Sequence, residues 1–229
     1  MIVIIGSPAW RSSPPPGPAG RACGIALAAS SRGSRVELVG RVGEDPAGEA
    51  LLIALANAGV GHVAVLRDPT RPTLAIEPPA AAPADDDDAS PFAEPEATPA
   101  ATAAAASAGA RLEGADVDLA VRYLEPSGVM VVTDDVPADA LAAAAAASGY
   151  AQMRLVVLLA PRGLAARTVP AGLPEDATVL AAPDDDAGDA GAFAALVGAY
   201  AAALDSGATP AEAFAAAQGA TGWEAAAAE

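Results

Sequence analysis

The feature that most constrains the fold is a strand, a helix and a second strand joined by short connections. Residues 36–42 and 62–66 are short runs rich in β-branched residues and bounded by glycine, which is typical of strands. Between them, Asp45 followed by Pro46 predicts a helix start, because aspartate caps helices and proline suits the first helical position. Gly59 is expected to end this helix. Strands connected in this way usually lie parallel in one sheet.

The same alternation is predicted along the rest of the chain. The first six residues are apolar and predict a buried first strand. Later strands are predicted at residues 129–132, 155–159 and 178–180, and helices at 117–124, 137–148 (ended by Gly149), 191–204 and 210–218. About six or seven strands alternating with helices predict an α/β fold, a three-layer α-β-α sandwich around a doubly wound, mostly parallel sheet. We expect residues 1–229 to form a single domain.

Composition excludes several classes of protein. The chain has 12 arginines, no lysine and 29 acidic residues, for a net charge of −17. This balance argues against a protein that binds nucleic acid or an anionic membrane, because both need dense positive charge. No stretch is apolar enough to span a membrane, and the apolar start lacks a basic leader, so we expect a cytoplasmic protein. A single cysteine excludes an internal disulfide and a cysteine-based structural zinc site, and we predict no bound metal among the site residues.

One internal segment has a different character. Residues 77–110 are rich in proline and alanine and carry seven acids, four of them at Asp85–Asp88, with no basic residue. Such a segment buries too little apolar surface to offset the entropy lost on ordering. We therefore expect a disordered acidic loop within the domain.

The side chains needed for several common chemistries are scarce. The only histidine, His62, begins a strand and is expected at its rim, and the absence of lysine excludes Schiff-base and Walker-type chemistry. Cys23 stands at a predicted helix start, which lowers a thiol pKa, but a small buried apolar role is the stronger interpretation.

Two helix starts rich in small residues are more informative. The first runs over residues 19–26 and contains Gly20 and Gly24, and the second runs over residues 191–199 and begins with Gly191. Glycine at a helix N-terminus lets backbone amides approach an anion, and the helix dipole favours negative charge there. The alternative is that these glycines only allow close packing.

Together these runs resemble the PfkB/ribokinase family of carbohydrate and nucleoside kinases. Residues 34–73 carry the resemblance best, with Gly-Arg-Val-Gly-Glu-Asp-Pro-Ala-Gly at 40–48, Ala-Gly-Val at 58–60 and Arg-Pro-Thr at 71–73. The spacing of Gly20, Ala26, Gly33 and Gly43 is similar to the N-terminal motif of the family, and residues 191–214 are similar to its C-terminal helix pair. The resemblance implies a ribokinase-like fold, an ATP and Mg²⁺ cofactor pair, and a sugar or nucleoside as substrate.

Departures from the family pattern bear on activity. In the family, a Gly-Ala-Gly-Asp motif supplies an anion hole and the aspartate that deprotonates the acceptor hydroxyl. In the ungapped register these positions are Gly191, Ala192, Phe193 and Ala194, so the base position holds a methyl group. Further losses point the same way: Gly24 replaces a substrate-pocket asparagine, residues 7–11 contain no aspartate, and the lid strands are expected to be reduced or absent. The chain resembles a degenerate and shortened member of the family.

A second register keeps the chemistry. Residues 186–189 read Asp-Ala-Gly-Asp, so Asp189 would be the base and the amides of Ala187 and Gly188 the anion hole. This register needs about five extra residues before the helix, and Asp184–Asp186 would repel ATP phosphates unless magnesium bridged them. The simpler interpretation of residues 184–189 is a solvated turn that caps the following helix.

Three functions remain open from the sequence. The first is a pseudokinase with a residual cleft for a nucleotide or another small metabolite, where Gly20 and Gly24 line the substrate pocket and Gly191 and Ala192 the anion hole. The second is an active ATP-dependent sugar or nucleoside kinase that uses Asp189. The third is a non-catalytic homodimer that pairs through the surface exposed by a reduced lid.

Overall fold

The structure, a computed structural model, describes residues 1–76, 109–124, 127–160, 169–182 and 190–223. Of the predicted acidic loop at 77–110, only Gly109 and Ala110 fall within these ranges. The rest of that prediction lies outside the described residues.

Nine strands and six helices follow one another along the described parts of the chain. The strands are β1 (Ile2–Ile5), β2 (Ala9–Arg11), β3 (Gly17–Ala19), β4 (Val36–Gly43), β5 (Val60–Asp68), β6 (Leu74–Ala75), β7 (Val129–Val132), β8 (Arg154–Leu159) and β9 (Thr178–Ala181). The helices are α1 (Gly20–Ser30), α2 (Pro46–Asn57), α3 (Gly114–Tyr123), α4 (Ala138–Ala151), α5 (Ala190–Asp205) and α6 (Pro210–Thr221).

The main sheet has six strands in the order β5-β4-β1-β7-β8-β9, and every neighbouring pair is parallel. Successive side chains of a strand point to opposite faces, and β1 shows this clearly. Ile2 and Ile4 belong to a core shared with α1, α2, α5 and α6, whereas Val3 and Ile5 belong to a core shared with α3 and α4. The predicted three-layer, doubly wound α/β sandwich is therefore confirmed.

Helix boundaries follow local sequence signals in most places. Asp45 Oδ1 accepts a hydrogen bond of 2.7 Å from the Gly48 amide, and Gly59 has a φ of +72°, as predicted for the two ends of α2. The prediction that Gly149 ends α4 is wrong. The helix continues to Ala151, and Gln152 takes the left-handed conformation instead, because the Met153 amide closes the helix on the Ser148 carbonyl at 2.9 Å.

A second, smaller sheet lies beside the carboxyl end of β1. It has the strand order β3-β2-β6, with β2 antiparallel to β3 and parallel to β6. The lid strands were predicted to be reduced or absent, and residues 9–19 contribute two short strands on either side of a proline-rich turn. The lid is reduced to three short strands. Within the described residues, no helix combines the length and the hydropathy needed to cross a membrane.

Candidate functional site at the carboxyl ends of β1 and β7

The candidate site lies where the order of the strands reverses. From β1 the chain builds the sheet outward through β4 to β5, and it then returns to the other side of β1 to add β7. In open α/β sheets this reversal opens a crevice at the carboxyl ends of the two central strands, where ligands usually bind. The residues that follow β1 and β7 are therefore the first to consider.

A carboxylate at the end of β7 forms the centre of this site. Asp135 accepts hydrogen bonds from the Thr133 hydroxyl and, at 3.2 Å, from the Ser7 amide after β1. The Thr133 amide in turn donates to the Ile5 carbonyl at 3.0 Å. Gly6 is required here, because a Cβ at this position would clash with Thr133 Oγ1. The ends of the two strands are thus tied together around one acidic group.

The electrostatic environment of Asp135 is unusual for a surface residue. Burial of the carboxyl group raises its pKa, and the neighbouring charge of Asp134 raises it further, although the hydrogen bonds from Thr133 and Ser7 oppose the change. The residue is nevertheless exposed to solvent. Protein surrounds the Asp135 carboxyl group on most sides, but solvent still reaches it. The group therefore lines a concave surface, as a ligand-binding carboxylate does.

The adjacent acid connects this loop to the helices. Asp134 forms an ion pair with Arg21 in the first turn of α1, and both side chains are largely buried. The Arg21 guanidinium also lies 5.6 Å from the centre of the Phe193 ring in α5, and that ring packs against Trp223 at a centroid distance of 6.0 Å. One arginine thereby joins the loop after β7 to the start of α5.

The two glycines predicted for the substrate pocket have different surroundings. Gly20 has a φ of +81°, and a Cβ there would lie 3.4 Å from the Ser7 carbonyl oxygen, so this glycine borders the Asp135 cluster. Gly24 lies one turn further along α1, and a Cβ there would be 2.9 Å from the Cβ of Ala194. Gly24 therefore allows α1 to approach α5 closely.

The four residues of the ungapped motif lie in the first turns of α5. Gly191 is exposed and nothing lies within 4 Å of the space beside its α-carbon, and Ala192 is half-buried. Phe193 and Ala194 are each only 3% exposed. Residues 183–189 lie outside the described residues, so the predicted roles of Asp189, Ala187 and Gly188 stay predictions.

The remaining candidates from the sequence, Cys23 and His62, lie in structural positions. Cys23 is fully buried, and burial raises the pKa of its thiol to about 12, which confirms the interpretation as a small apolar residue. His62 is half-buried near the start of the edge strand β5, with Nδ1 3.4 Å from the Val60 carbonyl oxygen. The described parts of the chain contain no group of three acidic, histidine or cysteine side chains arranged to hold a metal ion.

Sequence analysis missed Asp134, Asp135 and Arg21. The available signal was position, because two acids directly follow a buried strand of a predicted parallel sheet, where functional side chains collect. The Arg21 contact could not be anticipated, because it depends on how α1, β7 and α5 pack together.

Comparisons with known proteins agree with this architecture. Residues 13–77 match the family model described as pfkB family carbohydrate kinase. The structure is similar to the "putative Ribokinase II" of E. coli, with a TM-score of 0.65 and 14% identity over 96% of this chain and 91% of that one. It is also similar to Arabidopsis thaliana ribokinase complexed with ribose and ATP (TM-score 0.61, 15% identity, 96% and 90% covered). A carbohydrate kinase from Agrobacterium tumefaciens gives a TM-score of 0.56 at 16% identity, with 96% and 89% covered.

The resemblance to the PfkB/ribokinase family is confirmed. The family match covers the N-terminal part of the chain, which includes β3, α1, β4, α2 and β5. The ribokinase fold extends over nearly the whole chain. The comparison with curated proteins finds no match.

Proposed function

We propose that this ribokinase-fold protein binds a small polyhydroxylated molecule at the carboxyl ends of β1 and β7 and does not transfer phosphate efficiently. The main observation behind this proposal is the packing around Ala194. In the ungapped register this residue takes the base position of the family motif, and its methyl group is buried against Gly24. A methyl group cannot accept the proton that the acceptor hydroxyl must lose.

The packing of α5 on α1 determines the surroundings of Ala194. A Cβ at Gly198 would lie 2.6 Å from the Cβ of Ala28 and 2.9 Å from the Ile25 carbonyl oxygen. Since only glycine allows this approach to α1, Gly198 fixes how α5 is aligned along its neighbour. Ala194 lies one turn earlier in the same helix and packs on the same face of α1. Both positions of α5 are therefore held closely against α1 by the packing of small residues.

Phe193 is the second obstacle to phosphoryl transfer. In the family motif this position carries a glycine, which leaves backbone amides open to the phosphate. Here a phenyl ring fills the position and is held between Arg21 and Trp223. The ring replaces the open backbone of a glycine at position 193, so the amide there should be less accessible to the transferring group, although Gly191 and Ala192 before it stay open.

Ligand binding is supported by the polar groups that remain. Asp135 supplies exposed carboxylate oxygens at the crevice between β1 and β7, and the largely buried ion pair of Asp134 and Arg21 lies beside it. Carboxylates and a guanidinium together suit the hydroxyl groups of a sugar or nucleoside, which both donate and accept hydrogen bonds. The Arabidopsis structure with the same fold contains ribose and ATP, which supports a molecule of this size.

The described residues suit ATP and Mg²⁺ to different degrees. The exposed Gly191 and half-buried Ala192 leave backbone at the start of α5 open to a phosphate, so these two residues would hold the nucleotide. When bound, ATP would supply the phosphoryl group of the family reaction. For Mg²⁺ the described residues offer no ligand set, and no role for this ion is proposed.

Calorimetric titration with ribose, adenosine, ATP and ADP, with and without Mg²⁺, tests the binding proposal. We expect saturable binding of a polyol or nucleoside that Asp135→Ala weakens by about 10-fold or more, because a hydrogen-bonded charged group is lost. The matched control is Asp176→Ala, which removes an exposed acid from the turn before β9. Equal affinity of wild type and Asp135→Ala for every ligand bound would contradict the assigned site.

Turnover of ATP tests the catalytic part of the proposal. The expected result is no phosphorylated product above background with any of these acceptors. An active enzyme whose rate falls at least about 100-fold in Asp189→Ala would instead establish the kinase that uses Asp189 as base. The homodimer also stays a prediction, which light scattering at several protein concentrations would test.

A further inference from the structure

The second feature of interest is a cavity at the opposite edge of the sheet. It has a volume of about 570 Å³ and lies between α3, α4 and the sheet. Its lining includes Ser127 and Met153, which come just before β7 and β8, so the cavity is at the amino ends of these parallel strands. The candidate site described above is at their carboxyl ends. The two sites are therefore separate.

The cavity follows from the sequence of α4. This helix is almost entirely alanine on the side that faces the sheet, with Ala140, Ala144 and Ala147 packed there. A methyl group fills much less space than a leucine or isoleucine side chain at the same spacing, so α4 leaves volume between itself and the sheet. The alanines of α4 that line the cavity are Ala147 and Ala151.

The lining of the cavity is mostly apolar. Two of the three methionines in the chain contribute to it, and their flexible side chains adapt to ligands of different shape. The apolar lining residues are Val3, Val121, Leu124, Met130, Ala147, Ala151 and Met153. A volume of this size is typical of sites for small molecules, which usually combine apolar walls with a few polar groups.

The polar side chains of the cavity differ in whether they already form a hydrogen bond or an ion pair. The Ser127 hydroxyl donates to the sulfur of Met153 at 2.6 Å, so it is already occupied. Arg122 is exposed, and within the described residues no hydrogen bond or ion pair to it is found, even though Asp118 stands four residues earlier in α3. Tyr150 lines the opposite side from α4 and is 94% exposed. Among the described lining residues, the charged groups are therefore the guanidinium of Arg122 and the carboxylate of Asp118, and only the guanidinium can pair with an anion.

We propose that this cavity binds a small amphipathic carboxylate, with its apolar body between α4 and the sheet and its carboxylate at Arg122. An apolar body replaces water against the alanine and methionine surface, and the guanidinium is a good partner for a carboxylate. The net charge of −17 opposes non-specific binding of anions elsewhere on the surface. Binding of a carboxylate would therefore indicate a specific contact with the Arg122 guanidinium. An alkyl chain and an aromatic ring both satisfy this chemistry.

Calorimetric titration of the full chain with decanoate, with decanol as the neutral match and 1-naphthoate as the aromatic match, tests the proposal. We expect one decanoate per chain and weaker binding of decanol. Arg122→Gln should weaken decanoate about 3- to 5-fold, as for an exposed ion pair, and leave decanol unchanged. The matched control Arg111→Gln, which removes an exposed arginine just before α3, should change neither affinity.

Filling the cavity provides the second test. Ala147→Leu should reduce the affinity for decanoate at least about 10-fold, because the added side chain occupies the space of the ligand. Ala146→Leu adds the same group on the exposed side of α4 and should leave binding unchanged. The absence of saturable binding at about 1 mM ligand would overturn the proposal, as would equal binding to wild type and Ala147→Leu. If only the Arg122→Gln effect is missing, the proposed carboxylate contact is wrong.

Discussion

The contact of Gly198 with α1 can be tested by a single added methyl group. In Gly198→Ala the new Cβ would lie 2.6 Å from the Cβ of Ala28, 2.9 Å from the Ile25 carbonyl oxygen and 3.0 Å from the Ala29 amide nitrogen. Favourable contacts between such atoms are at about 3.5–4.0 Å. Because two of the three neighbours are backbone atoms, they cannot rotate away, and α5 must move away from α1.

The magnitude follows from two opposing effects. Overpacking a well-packed core costs about 1–3 kcal/mol, and the upper value applies because the backbone is rigid. Replacing glycine by alanine inside a helix stabilises the helix by about 1 kcal/mol. The free energy of unfolding should therefore fall by about 2 kcal/mol, which lowers Tm by about 4–8 °C in a chain of this length.

Gly219→Ala is the matched control. Gly219 lies in α6, is exposed, and has nothing within 4 Å of an added Cβ, so only the gain in helix propensity applies. We expect about 1 kcal/mol of stabilisation, or about 2–4 °C. Urea denaturation followed by far-UV circular dichroism measures both variants, with an unchanged m-value as the sign that only stability has changed. A Gly198→Ala protein as stable as wild type would refute the close contact of α1 and α5.

Three further predictions follow from ionisable groups. Asp45→Ala should lower the free energy of unfolding by about 3 kcal/mol in urea denaturation at pH 7, because it removes the cap of α2 and leaves the buried Thr73 amide, now bonded at 2.8 Å, without a partner. Burial opposes ionisation of Asp45, but hydrogen bonds from Thr73 and Gly48 outweigh it and lower its pKa below 3.8, so this stabilisation is present above pH 3.8 and is lost as the pH falls through the lowered value. The pKa of Asp135 is raised above 3.8. Its contribution to the free energy of unfolding is therefore present below pH 3.8 and is lost as the pH rises through the raised pKa. Asp135→Asn should then gain stability relative to wild type over this window, and parallel pH profiles would contradict it. Cys23, with a thiol pKa of about 12, should react with iodoacetamide at pH 8 only after unfolding, which mass spectrometry detects, and rapid modification of the native protein would show that the thiol is accessible.

Local signals in the sequence were enough to predict the fold class and most elements. The capping residue of α2, its glycine end and the β-branched runs each act over a few residues, so their effect does not depend on distant packing. Gly149 shows the limit of such signals. The helix continues past it because the backbone bonds that close the helix form three residues later, around Gln152.

The candidate site could be predicted only in part. The small residues of α1 and α5 signalled two helix starts, but the sequence did not show that Gly24 and Ala194 contact each other. The acidic pair after β7 resembles an ordinary polar turn in the sequence, and it becomes a site because β1 and β7 are neighbours in the sheet. Contacts of this kind join residues more than a hundred positions apart, which periodicity and capping rules do not connect.

The surroundings of Ala194 indicate that an aspartate could not be introduced at this position by a single substitution. An aspartate there would place a carboxylate against Gly24 in a site that is almost fully buried, and a buried charge without a partner is strongly destabilising. The nearest cation, Arg21, is already paired with Asp134 and covers the ring of Phe193. Glycine at position 24, the ring at 193 and the arginine pair together form a packed arrangement that is stable without a base. Ala194→Asp alone should therefore destabilise the fold instead of restoring a kinase.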